Sequence, residues 1–346
     1  MFLQEGWTDV PGADENLVTC MDKGARVIGG GIRYDKDGPA QIRRVFELAQ
    51  HYDADVDFHL DGGFDTTQFD YPQVCEITDR IGWQGRVAFG HGSKFSCLPV
   101  AGQVEVGKRL AASDVSLAVL PATDIFNAGR HMEHSVIRGV TDANTLIAQG
   151  ANCTIATDKV LNAYTPYADC SLTRIVNLYA NVVQRYGPTD LGVCFEMITA
   201  RAARALRLPD YGIAIGNAAD LVVWNEGSPA GVIETCALPL ASFKRGQQIF
   251  SREQPALLRA QSSSKGLSQN NQSKIEVVAA CGQQGARRVS PCSMNTKCPC
   301  EKGVAWQYPR RRLCTKRKIR PYLTAEQRRW RCAAATESGG LFCDSP

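Results

Sequence analysis

The sequence predicts an α/β fold built on a parallel sheet of barrel type, and three observations carry that prediction. Short apolar or β-branched runs recur about every thirty residues, the spacing of repeated strand-helix units. Between them lie segments with helical periodicity. Polar residues gather at the carboxyl ends of the runs, where a parallel α/β barrel assembles its active site.

The first run is ARVIGGG (residues 25–31), and the amphipathic segment QIRRVFELAQHY follows it with Ile42, Val45, Phe46 and Leu48 on one apolar face. The runs DVDFHLD (55–61), RVAFGHG (86–92), SLAVLP (116–121) and NCTIATD (152–158) come next, with the helical VEVGKRLAASD preceding the fourth. These runs are expected to be apolar on both faces, one covered by helices and the other packed into a barrel interior. The triple glycine at 29–31 lacks the spaced pattern of a phosphate loop and is assigned to close packing in the barrel mouth. Residues 171–187 and 191–208 each read as one amphipathic helix, the second ended by Pro209. Asn162, Thr165 and Asp169 suit either a pocket lining or turns and caps.

Composition divides the chain of 346 residues near Gln254. After that point 17 Lys and Arg face 5 Asp and Glu, whereas the preceding residues are acidic, with 22 basic against 30 acidic side chains. Half of the 14 cysteines are spread through residues 1–255, where they read as reduced, buried small apolar residues; the other half crowd into the tail. The expected organisation is a barrel over 1–210, a small β-domain segment over 211–253 and a basic, Cys-rich, largely disordered tail over 254–346. The tail carries Trp306, Tyr308 and Trp330 among its basic clusters, but it has no histidine, no paired C-x-x-C knuckles and no nucleic-acid motif. Neither zinc nor nucleic acid is therefore expected there. With no run of about 18 apolar residues and an acidic, polar start, neither a membrane span nor a signal peptide is expected, and the compartment expected is the cytoplasm.

The run ends carry the chemistry. The second ends in His59, Leu60 and Asp61, the third in His91, the fourth leads into Thr123 and Asp124, and the fifth closes on Asp158. Two imidazoles and a carboxylate from separate strands, meeting at one mouth, suit a divalent transition metal with nitrogen and oxygen ligands. The same residue types also compose the facial triad of non-haem iron oxygenases, a reading that the strand-helix repeat disfavours.

FHLD at Phe58, GHGS at His91, LPATD at Leu120, the stretch ATDKVLNAYTPYADCSL from Ala156 and the closing YGIAIGNAADLVVW from Tyr211 resemble the cytosine deaminase-like branch of the amidohydrolase superfamily. The resemblance runs from about Gly6 to Glu253. It implies part of a (β/α)8 TIM barrel of the metal-dependent hydrolase type, the start of a small C-terminal β-domain, and hydrolysis of a C–N bond in a small heterocyclic or amide substrate. By the same resemblance His59 would ligate a divalent metal ion (Zn or Fe, or Mn), His91 would hold the hydrolytic water or the substrate, and Asp158 would bind metal and act as base. Asp61 is carried over as a supporting group of the catalytic set.

Two departures accompany it. The family's first strand supplies a His-x-His pair, which none of the histidines here, His51, His59, His91, His131 and His134, can form. The expectation is an amino-terminally truncated copy holding the last five strands, its open edges covered by a second copy or a partner chain. An inactive barrel fragment kept as a binding or oligomerisation partner is the alternative. The second departure is Gly62, where the cytosine deaminases have a glutamate proton shuttle; Asp61 or Asp65 would substitute only if the backbone delivers it. Replacement ligands from His131 and His134, spaced i, i+3 as on one helical face, are disfavoured against a solvated loop.

Overall fold

A computed structural model describes residues 6–253. The tail at 254–346, with its expected disorder, lies outside the described residues, as does residue 1–5. Five strands, β1 (Val27–Ile28), β2 (Asp55–Leu60), β3 (Val87–His91), β4 (Val115–Val119) and β5 (Cys153–Ile155), form a parallel sheet in sequence order. Each of the five expected runs is a strand. Helices α1 (Ala13–Asp22), α2 (Gly38–Tyr52), α3 (Tyr71–Ile81), α4 (Val100–Ala112), α5 (Pro121–Asn127) and α6 (Ala143–Ile147) alternate with them, and α7 (Leu172–Val183), α8 (Gly187–Glu196) and α9 (Ala200–Ala205) follow β5. This is a partial barrel: β1 and β5 are the outer strands of the described sheet.

Local chemistry explains the elements. The Asp37 side chain accepts a hydrogen bond from Ala40 N at 2.9 Å and starts α2, with Pro39 in its first turn. The helix buries Ile42, Val45, Phe46, Leu48 and Ala49, then stops where Asp53 turns left-handed (φ 49°). Ser171 caps α7 in the same way.

The strands do not match the expected pattern of two apolar faces. Val56, Phe58 and Leu60 of β2 are buried, as are Val87 and Phe89 of β3 and Val115, Leu117 and Val119 of β4. Each such side chain stabilises the core by about 1.5–3 kcal/mol. The opposite face is short or polar, because pairing sets Asp57 beside Ala88 and Ala88 beside Ser116, and one layer up His59 beside Gly90, Ala118 and Thr154. Apolar neighbours of full size would fill the mouth; Gly90 and Ala118 leave space above the sheet next to His59.

The expected packing of the triple glycine is present. A Cβ on Gly29 would stand 1.7 Å from the Asp57 carbonyl oxygen, and one on Gly30 2.5 Å from Gln41 Oε1. Gly31 forms a parallel bridge with His59, whose N–H donates to the Gly30 carbonyl at 2.8 Å.

The helix expected over 191–208 is broken into α8 and α9. The Met197 carbonyl between them accepts the Ile155 N–H of β5 at 3.3 Å, and Thr199 adopts a non-helical backbone, so tertiary pairing with the sheet interrupts a continuous periodic pattern. Beyond α9, β6 (Leu221–Trp224), β7 (Pro239–Lys244) and β8 (Gln247–Ser251) make an antiparallel sheet, with α10 (Pro229–Glu234) between β6 and β7. Asn177 of α7 donates to the Ile233 carbonyl at 2.9 Å and ties α10 to the barrel helices. The seven described cysteines are free thiols; Cys75, Cys153 and Cys194 are buried as expected, whereas Cys170 is exposed. Among the described residues no helix is long and apolar enough to cross a membrane.

Candidate active site

A cavity of about 640 Å³ opens at the carboxyl ends of the strands, and His59, His91, Asp124 and Asp158 line it together with Arg33, Tyr34, Phe64, Asn127, Lys159 and Tyr164. Alternation along β2 puts His59 on the face opposite Phe58 and Leu60. His91 ends β3 with φ 80°, a strained left-handed conformation that turns its ring toward His59 with centroids 5.3 Å apart. Asp158, after β5, has φ 61°. His91 and Asp158 are thus two of the non-glycine residues with positive φ, and both stand at strand ends.

Asp124 stands in the first turn of α5, buried, and its Oδ1 lies 2.9 Å from His91 Nδ1. Its Oδ2 is buried with no hydrogen-bond partner. Burial raises the Asp124 carboxyl pKa, and the bond to His91 opposes that rise. Burial lowers His59 to about 4; His91 and Lys159 push in the same direction, and Asp158 opposes them. Its imidazole is accordingly neutral at pH 7, the form that ligates a metal. Asp158 is nearly buried, with Lys159 Nζ 3.3 Å from its Oδ2.

Donor chemistry tests whether a divalent metal fits. A neutral imidazole, the Asp158 carboxylate and the unpartnered Asp124 oxygen are the nitrogen and oxygen donors such ions take. Among the described residues, however, no group of three or more His, Cys, Asp or Glu is arranged to hold an ion. His59 and Asp158 therefore fit part of a four-coordinate site and not the whole of one.

Asp61 is not among the residues lining the cavity. Its φ of 50° turns the chain, and its carboxylate accepts Asp70 N at 3.0 Å and Tyr71 N at 2.9 Å at the start of α3, with Lys94 Nζ at 3.6 Å. Burial pushes this carboxyl up to about 6 against those amide donors. It holds the loop behind His59 and does not face the reacting space. Asp65 is likewise turned into its own loop, accepting the Thr67 N–H at 2.9 Å. His131 and His134 are exposed in a non-helical segment after α5, as the solvated-loop reading expects. Asn162 accepts Tyr164 N and Thr165 N, and Asp169 accepts Ser171 N, which are turn and cap roles.

Sequence reading missed Arg33, Tyr34, Phe64, Lys159 and Tyr164. Each reaches the cavity from a turn or loop, where no periodicity marks which way a side chain points. The signal available for Arg33 was its place two residues after a glycine run that ends a strand.

A parallel strand-helix sheet that brings two imidazoles and two carboxylates to one cavity at its carboxyl ends has the architecture of a partial (β/α)8 barrel with its polar site at the strand ends. The family model described as "Amidohydrolase family" matches residues 10–261, and the chain belongs to that family. It is 25% identical over 217 residues to a pterin deaminase of Rhizobium rhizogenes, covering 61% of this chain and 48% of that protein. Over 255 residues it is 24% identical to an N-isopropylammelide isopropyl amidohydrolase of Pseudomonas sp., covering 73% and 60%. The crystal structure of a 5-methylcytosine deaminase from Klebsiella pneumoniae liganded with 5-fluorocytosine superposes with a TM-score of 0.71 at 27% identity, covering 75% of this chain and 63% of that one. The chain thus spans less than two thirds of the length of each of these relatives.

Proposed function

We propose that the chain is a metal-dependent hydrolase that adds water at a ring carbon of a small nitrogen heterocycle and releases the exocyclic amine. The observation that carries this reading is the convergence of His59, His91, Asp124 and Asp158, from four successive strand ends, on one cavity. Family membership and the deaminase and amidohydrolase relatives support the same bond class.

His59 and Asp158 would hold a divalent ion of the Zn, Fe or Mn type, which when bound supplies Lewis acidity and a water acidified toward neutral pH. Asp158 takes a proton from the attacking water as the new C–O bond forms. In its doubly protonated form His91 donates Nδ1–H to Asp124 and its second N–H to the ring as negative charge develops there. The C–N bond then breaks with its electron pair on the amine, which leaves with the transferred proton. Asp61 holds the β2–α3 loop so that His59 stays in place.

The test is metal content per chain together with turnover against pyrimidine, triazine and pterin amines, in the wild type and in His59→Ala and Asp158→Asn. His59→Ala is expected to lose metal, and Asp158→Asn to lose hydrolysis while keeping some metal. Equal metal and turnover in all three would remove the site assignment.

A second reading is an inactive barrel fragment that binds a partner chain or a second copy of itself. The outer positions of β1 and β5, and the incomplete donor set, favour it. A metal-free chain that forms a stable complex through those edges and turns over nothing would decide for it.

A further inference from the structure

Among the described residues, the cavity holds one cation that neither of its carboxylates pairs with. Asp124 is engaged by His91 and Asp158 by Lys159, which leaves Arg33 without either. We propose that Arg33 selects the substrate, by donating to an anionic or strongly polarised oxygen on the ring edge; this rests on the heterocycle hydrolase reading above and names the substrate class within it.

Three observations place Arg33 for that task. Its backbone is fixed beside the reacting space, because Gly31, two residues earlier, bridges His59, and Tyr34 N donates to the Gly31 carbonyl at 3.0 Å in the 3-10 turn Ile32–Tyr34. Its guanidinium carbon lies 5.4 Å from the centroid of the Tyr34 ring, a cation–π approach between two exposed side chains at the cavity rim. Its Nη1 reaches to 3.9 Å from where a Cβ on Gly62 would stand, and that same point is 3.8 Å from His91 Cβ and Cγ. The glycine keeps open the space between the guanidinium and the catalytic imidazole. A planar ring lying there meets a bidentate donor at one edge and His91 at another, with Phe64 and Tyr164 also lining the cavity.

The consequence is a preference for a heterocycle that carries an ionised ring oxygen over a neutral one of the same shape. Equilibrium binding to the full chain tests it with two inert pyrimidines, barbiturate (a monoanion at neutral pH) and uracil (neutral). Wild type is expected to bind barbiturate at least about tenfold more tightly than uracil. Arg33→Ala should bring the two to within about twofold, and Gly62→Glu, which sets a carboxylate against the guanidinium, should abolish the preference from the other side. Circular dichroism of each variant confirms that it folds. Barbiturate and uracil binding equally to wild type, no measurable barbiturate binding, or a preference that survives Arg33→Ala in folded protein would each overturn the proposal. Because binding is read without turnover, an Arg33-dependent preference in a chain that hydrolyses nothing would refute the catalytic reading and keep this one.

Discussion

His91 and Asp124 lie 33 residues apart and meet at 2.9 Å, Nδ1 to Oδ1, across the ends of neighbouring strands. The bond sets the imidazole plane and leaves its second nitrogen for the cavity, while burial of Asp124 keeps water from competing for it. Replacing Asp124 with Asn should lower kcat by about 10²-fold with little change in KM, because the ring is misoriented in the transition state and the substrate still binds. Steady-state kinetics checks this, and metal analysis of the same samples shows whether the Asp124 oxygen is also a ligand. A loss confined to KM would make Asp124 a binding group.

Asp61 supports the site through α3. Asp61→Ala leaves the Asp70 and Tyr71 amides unsatisfied and should cost about 1–3 kcal/mol in urea unfolding, with a smaller effect on kcat of the folded fraction. A fall in kcat of about 100-fold at unchanged stability would instead give Asp61 a direct part in the chemistry.

The glycines separate fold from site. Gly29→Ala forces a Cβ to 1.7 Å from the Asp57 carbonyl and should destabilise by about 3 kcal/mol or more, lowering the yield of folded protein. Gly62→Ala meets nothing closer than 3.8 Å and should fold like wild type. Thermal unfolding of the two variants compares them directly.

Much of this architecture was legible in the chain. The five strands announced themselves because apolar runs bounded by turns repeat at the interval of a strand-helix unit, and His59, His91, Asp124 and Asp158 were marked by standing at run ends. The inner face was misread as apolar because a sheet lined by Asp57, Ala88, Gly90 and Ser116 differs from a packed barrel interior only once pairing is known. Arg33 and Lys159 were not found because a 3-10 turn and an irregular loop carry them in. The break between α8 and α9 was invisible because its cause, the bond from Ile155 to Met197, joins residues 42 positions apart.

Asp35 supplies a pH signature of the fold. Burial pushes its carboxyl up, but hydrogen bonds from the Thr8 hydroxyl and N–H and from the Trp7 and Asp37 amides hold it below the usual carboxylate range. With the folded pKa depressed, its stabilisation is complete above the unfolded value and is lost as pH falls through the folded one. Asp35→Asn should therefore cost about 1–2 kcal/mol at pH 7 and progressively less on acidification below about pH 4. Denaturant unfolding across that range measures it, and a difference independent of pH would refute the assignment.

The most direct test of the central claim is elemental analysis of the full chain beside His59→Ala, with deamination measured on the same samples. Near-stoichiometric Zn, Fe or Mn and release of amine are expected in the wild type, and loss of both in the variant. Folded wild-type protein that binds no metal and releases no amine would contradict the claim.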